Sequence, residues 1–290
     1  MRVPIPSKLK QTLKQVRHDL RKAYFRRFFA FTPADFVGVL RRLGVQQGDI
    51  LCAHSSFNQF LGFQGSLGDA LNALKDTVGP DGGLMMPTQP FSGSAIDYVK
   101  HNPVTNIGRA PSLMGMMTEI LRRTPGAVRT IHPTHPAALW GAKGVELAGN
   151  DWEARTPCGR HTAYYRLLER DGKVAMLGTT LQPITLYHCI EELIEPLMPF
   201  SPFTAEEFDL KSQDKAGTIY ESRVRLFEPV LSAQRRMAPM IPELKRRNAW
   251  RAAKIGRLEI IVLRAADLFT AVESMAKRGE FCYVQSSRAT

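Results

Sequence analysis

Four short apolar runs separated by segments of helical period constrain this chain more than any other feature. They are "DILCAHSSF", "GGLMMPTQP", "GKVAMLG" and "LEIIVL". Each is too short for a buried helix and ends at polar residues, glycine or proline, as a buried strand does. Between them, "TPADFVGVLRRLG" reads as a helix with Thr32 as N-cap, Pro33 at its first position and Gly44 at its end. "GFQGSLGDALNALKDTVG" reads as a Gly-rich loop and then a helix, with Ser66 and Asp69 spaced for a capping box. "SLMGMMTEILRR" is a Met-rich helix that suits a core better than a site. Strands alternating with helices imply a layered α/β domain. With 290 residues and 44% hydrophobic content, the chain can bury a substantial core. We assign residues 1–31 to a basic amphipathic N-terminal helix and 32–290 to a single domain. The least regular stretch, 196–240, reads as an insertion.

Charge and cysteine content narrow the class. The net charge is +12, and residues 1–27 carry nine Lys or Arg against one acid, Asp19. Leu9, Leu13, Val16, Leu20 and Tyr24 fall at helical spacing among those cations. Such a helix can dock on the domain, join a second copy in a homo-oligomer, or lie peripherally on an anionic membrane. A second basic cluster, Arg235 to Arg257, reads either as a surface for a polyanion or as a solvated helix face. No run of 18 apolar residues is present, so no transmembrane helix is expected. "MRVPIPSKLK" lacks the apolar region of a secretory signal. Cys52, Cys158, Cys189 and Cys282 lie far apart with no CxxC pair, which suits a reducing cytoplasm and argues against a zinc ribbon. Basic excess raises nucleic acid as a partner, but no helix-turn-helix or zinc module supports it.

The chemistry-bearing motifs are weak one by one. "GFQGSLG" is neither GxGxxG nor a P-loop, and it lacks the first glycine of a nucleophile elbow. "RTIHPTHPAALWG" holds His132 and His135, but two prolines place them in a loop and no Cys or acid completes a metal set. "LQPITLYHCIEELIEP" places Thr185, His188 and Glu191 at three-residue intervals, with Glu192 four residues beyond His188. A carboxylate one helical turn from a histidine can build a general base, or can satisfy a core imidazole. Cys189 beside His188 points about 100° away around the helix and reads as core.

Taken in order, "HSS", "MPT", "HPTH", "TPCGRHTAYYRLLE", "GKVAMLG" and "TLYHCIEE" resemble the aminoglycoside 3-N-acetyltransferase family, whose members use acetyl-CoA. The resemblance covers about residues 32–195, with an echo in "KIGRLEIIVLRAADLFTAVE". It implies the layered α/β/α domain of the antibiotic N-acetyltransferase type. It also implies a T-x-x-H-x-x-E signature at Thr185, His188 and Glu191, with His188 as catalytic base. By the same resemblance the CoA-binding segments are His54-Ser55-Ser56-Phe57, Pro87-Thr88 and the loop ending His161-Thr162, and no metal is needed. Ile184 and Pro136 depart from the family pattern near the expected site.

The function so implied is transfer of an acetyl group from acetyl-CoA to the amine of a small-molecule acceptor. Segments near the expected site are poor in acids: "GRHTAYYRLLER" has Glu169 against Arg160, Arg166 and Arg170. The charge favours an amino sugar carried on a nucleotide or an anionic glycan precursor over a polycation. The alternatives are an aminoglycoside acetyltransferase conferring antibiotic resistance, a His188-dependent thioesterase or deacylase, and a non-catalytic basic binding protein.

Overall fold

Strand β1 (Ile50–Ser55) is buried on both faces, and its side chains alternate between two cores: Ile50 and Cys52 face one, Leu51 and Ala53 the other. Parallel partners lie on either side of it, β2 (Gly83–Pro87) and β6 (Lys173–Leu177). These are three of the four runs read as strands. The fourth becomes β10 (Leu258–Arg264), which pairs antiparallel with β6. The computed structural model describes Val16, Leu20 and residues 23–284. Among these, β4 (Val128–Arg129), β5 (Ala137–Trp140) and β9 (Arg251–Ile255) complete a seven-stranded sheet in the order β4-β5-β2-β1-β6-β10-β9.

Helices cover both faces. On one side pack α1 (Pro33–Arg42) and α2 (Leu67–Val78) through Phe36, Leu40, Leu71 and Leu74. Both start with capping boxes, Thr32 with Asp35 and Ser66 with Asp69. Two later helices are α3 (Ala95–His101) and α4 (Met116–Arg123). The α4 helix uses Met117 and Leu121 in the same core as α1 and α2, while Met116 is exposed. A short α5 (Ala142–Val145) packs so closely on β2 that a Cβ on Gly83 would sit 2.5 Å from the Gly144 nitrogen. On the opposite side lie α6 (Ala163–Glu169), α7 (Leu186–Leu193), α9 (Met240–Arg246) and α10 (Ala265–Lys277), burying Tyr164, Tyr187, Leu244 and Leu268. This is the three-layer α/β/α arrangement.

Residues 196–240 are more regular than their composition suggests. They contain a long hairpin, β7 (Phe203–Gln213) and β8 (Ile219–Phe227), joined by β3 (Val104–Asn106) into a second sheet. A six-residue helix, α8 (Pro229–Gln234), follows. Alternation along the hairpin is diluted by charged residues at Glu206, Glu207, Arg223 and Arg225, because one face meets solvent.

Leu9 and Leu13 lie outside the described residues. Residues 23–28 are helical, and Phe25 and Phe29 turn towards the domain, where Gly62 accommodates the Phe29 carbonyl. Val16, Leu20, Tyr24 and Phe28, four residues apart, are 49–67% exposed. No helix among the described residues is long and apolar enough to cross a membrane.

Candidate functional site

A loop over residues 178–185 leads from the carboxyl end of β6 into helix α7, at the end of the parallel strands where open α/β sheets place their ligands. Thr185 occupies its N-cap position but does not cap with its side chain; its φ and ψ are already helical. Its amide instead points at His54 Nε2, 3.5 Å away, on the end of β1. His188 falls in the first turn and Glu191 one turn later.

His188 Nδ1 lies 3.3 Å from Glu191 Oε2. An N–H there donates to the carboxylate and leaves Nε2 as the basic nitrogen. The other oxygen of Glu191, Oε1, accepts from Arg235 Nε at 2.9 Å and from the Tyr283 hydroxyl. Glu191 is fully buried. Burial alone would raise its pKa, but the His188 hydrogen bond and the Arg235 charge outweigh it and hold the carboxyl below its usual range. Burial, and then the Arg235 charge, push His188 below its ordinary value, against the pull of Glu191. At neutral pH the pair is therefore a neutral imidazole on an ionised carboxylate.

His188 opens into a cavity of about 380 Å³ lined by Phe91, Ser94, His135, Phe227, Ser232 and Arg235 among others. No Asp or Glu is among its lining residues. Phe227 centres it: the His188 ring is 4.6 Å from the Phe227 centroid and the Arg235 guanidinium carbon 4.5 Å, with His135 edge-on at 5.8 Å. His135 is held neutral by burial and by the neighbouring His132, His188 and Arg235. His132 is fully buried, its Nδ1 accepting the amides of Thr134 and His135. Among the described residues no cluster of His, Cys, Asp or Glu could hold a metal. Cys189 is buried in the core, its thiol pushed up by burial.

The segments expected to bind CoA divide. His54 is nearly buried, pushed down to about 4 by burial and by His188, and lies close to the dyad. Ser55 ends β1 and Ser56 follows it, both half-buried, and the Ser56 amide donates to the Leu177 carbonyl. Phe57 packs into a cluster with Phe60 and Phe63. A second cavity, of about 530 Å³, opens beside this strand end, lined by Gln59, Thr179, Thr180, Trp250, Lys254 and Arg257 among others. Pro87 and Thr88 are not available in the same way. Both are buried, and the Thr88 hydroxyl donates to the Pro136 carbonyl while accepting from Arg129 Nε. Thr162 is fully buried as the N-cap of α6, accepting from the Tyr165 amide and donating to Gly159. Both threonine hydroxyls thus donate to main-chain carbonyls. His161 is exposed in the left-handed region, with φ of 73°.

Arg235, Tyr283 and Phe227 carry no motif that marks them in the sequence. Arg235 heads the second basic cluster, yet it is 5% exposed and sits in a buried ion pair rather than on a surface.

The family model described as aminoglycoside 3-N-acetyltransferase matches residues 52–277. Aminoglycoside N(3)-acetyltransferase IX of Micromonospora chalcea is 29% identical over 170 residues, covering 54% of this chain and 60% of that protein. Aminoglycoside N(3)-acetyltransferase VII of Streptomyces paromomycinus is 30% identical over 172 residues, covering 54% and 58%. The chain thus matches less than two thirds of the length of these relatives. Two solved structures share the fold: aminoglycoside acetyltransferase AAC(3)-Xa (TM-score 0.75, 21% identity, 91% of this chain and 99% of that one) and AAC-IIIb in a binary complex with CoASH (TM-score 0.72, 20% identity, 87% and 98%). With a family model matched along most of its length and the α/β/α sheet to go with it, this chain belongs to the aminoglycoside 3-N-acetyltransferase family.

Proposed function

We propose that this protein transfers the acetyl group of acetyl-CoA to the amine of a small acceptor, with His188 as general base. The observation that carries the reading is the dyad: a neutral imidazole bonded through Nδ1 to a buried, ionised Glu191, on a residue that lines a cavity. The acceptor amine attacks the thioester carbonyl, and its C–N bond forms as His188 Nε2 takes the proton. Glu191 stabilises the imidazolium. The C–S bond then breaks, and the proton passes from His188 to the leaving thiolate. Attack is direct, since Cys189 is buried with a raised pKa and cannot serve as a nucleophile.

CoA would lie along the carboxyl ends of β1 and β6. There Thr179 and Thr180 share a cavity with Lys254 and Arg257, which suit its phosphates, and Ser55 and Ser56 lie at the end of the neighbouring β1. The acceptor would occupy the cavity at His188. Because no carboxylate lines it, we read the acceptor as an amino sugar carried on an anionic group such as a nucleotide or glycan precursor. The second reading is an aminoglycoside, favoured by the names of the relatives: the structure of a variant of AAC(3)-IVa, of the same fold, is a complex with a gentamicin. An acceptor screen that reads thiol release from acetyl-CoA tests both. Release with anionic amino sugars supports the first, release with kanamycin-type amines alone supports the second, and release without any amine points to thioester hydrolysis instead.

A further inference from the structure

His188 shares its cavity with a second imidazole, His135, on the loop between β4 and β5. The His135 ring stands edge-on to two others, 5.7 Å from Phe91 and 5.8 Å from Phe227. Its neighbours fix where its proton lies. His132 Nδ1 accepts the amides of Thr134 and His135, at 3.1 and 3.0 Å, so its lone pair is taken. The Thr134 hydroxyl is 3.4 Å from that nitrogen but 3.0 Å from His135 Nδ1. It therefore donates to His135, whose Nδ1 accepts and whose hydrogen sits on Nε2. Among the described residues His135 Nε2 meets no protein group, and it is not sealed away as His132 Nε2 is. What is open of His135, 6% of its surface, belongs to the wall of this cavity. Burial, and then His132, His188 and Arg235, keep the ring neutral.

We infer that His135 Nε2–H is a specificity-determining contact of the acceptor cavity, donating to an uncharged oxygen of the acceptor close to the amine that His188 deprotonates. The acceptor so selected is an amino alcohol, as an amino sugar is, with a hydroxyl or ring oxygen near its amine. The inference rests on the reading of this cavity as the acceptor side of an N-acetyl transfer. The two imidazoles then play opposite parts: His188 takes the proton of the amine, and His135 gives a hydrogen bond beside it. An N–H whose ring has no lone pair to spare favours an oxygen and disfavours a second ammonium group, which is itself only a donor. The ring is already set by Thr134, Phe91 and Phe227, so little side-chain freedom is lost when the acceptor arrives.

The test measures kcat/KM on the full chain with acetyl-CoA, by thiol release, for cyclohexylamine and for trans-2-, trans-3- and trans-4-aminocyclohexanol. One position of the hydroxyl should gain about tenfold over cyclohexylamine, mainly in KM, with KM for acetyl-CoA unchanged. His135→Phe keeps the bulk of the ring and should erase the gain, while His135→Gln keeps an N–H donor and should retain part of it. Thr134→Val removes the hydroxyl that fixes the tautomer and should shrink the gain without changing KM for cyclohexylamine. Thermal melting checks that each variant is folded, and the comparison within the parent stands without them: equal rates for all four amines would overturn the inference. So would a gain that survives in His135→Phe, or a loss in that variant confined to kcat and equal for every amine. Should no amine release thiol, the transferase reading fails on its own. Calorimetric binding of an aminocyclohexanol in preference to cyclohexylamine, weakened about tenfold by His135→Phe, would then still uphold the contact, and equal binding of all four amines would overturn it.

Discussion

His188 and Arg235 are joined through one carboxylate: Glu191 receives the imidazole on Oε2 at 3.3 Å and the guanidinium on Oε1 at 2.9 Å. The same bridge fixes the imidazole tautomer and keeps the carboxylate ionised in a buried place. It also ties the base on α7 to a residue that lies 44 positions beyond Glu191, just past α8.

The strongest consequence concerns the base itself. His188→Ala should lower kcat/KM for acetyl transfer by about 10²–10⁴-fold, the usual contribution of general base catalysis. His188 is on the cavity wall, so thermal melting should change little. Glu191→Gln should cost less, because it orients and stabilises and does not itself carry the proton. Turnover of His188→Ala within a few-fold of the parent would remove it from the mechanism.

The direction of the His188 shift predicts a pH profile. With His188 as the proposed base, the neutral imidazole is the active form, and its pKa lies below the ordinary value of 6.5 because of burial and the Arg235 charge. The acidic limb of kcat/KM should therefore fall off below pH 6.5, with activity retained at pH values where an ordinary histidine would be protonated. Glu191→Gln removes the group that raises His188, so the limb should move lower still as the maximum drops. A limb at or above 6.5 in the parent would contradict the electrostatics described above.

Close backbone packing at β2 gives a stability prediction. A Cβ on Gly83 would meet the Gly144 nitrogen at 2.5 Å and its Cα at 2.7 Å, both rigid backbone atoms. Gly83→Ala should destabilise the fold by about 1–3 kcal/mol, as overpacking does. Denaturant titration reads this directly, and an unchanged midpoint would mean that α5 yields more easily than its contacts suggest.

The exposed stripe of Val16, Leu20, Tyr24 and Phe28 adjoins a segment with nine cations in residues 1–27. Apolar residues beside Lys and Arg suit an anionic lipid surface, each cation near it contributing about 1 kcal/mol. Full-length protein should sediment with vesicles containing phosphatidylglycerol and be released by salt. A chain lacking residues 1–28 should stay in the supernatant. Equal sedimentation of both would assign the lipid contact elsewhere, and none for either would leave the stripe to a second copy of the chain.

Local signals made the frame of this protein readable. The apolar runs at β1, β2, β6 and β10, and the boxes Thr32–Asp35 and Ser66–Asp69, depend on neighbours within a few positions. Strand period, capping and turn chemistry act over that range. His188 and Glu191 were legible for the same reason, being one helical turn apart. The bonds of the Thr88 and Thr162 hydroxyls to main-chain carbonyls were not, because what a hydroxyl meets is set by what packs around it. The hairpin of β7 and β8 was hidden by its charged outer face. Arg235, Tyr283 and Phe227 were hidden more deeply. Each looks like an ordinary basic or aromatic residue, and only the folding of distant segments onto α7 puts a guanidinium and a phenol on one buried carboxylate and a ring beside the imidazole. Burial converts Arg235 from a solvated charge into a fixed partner of Glu191, and burial is a property of the assembled layers that no short window of sequence contains.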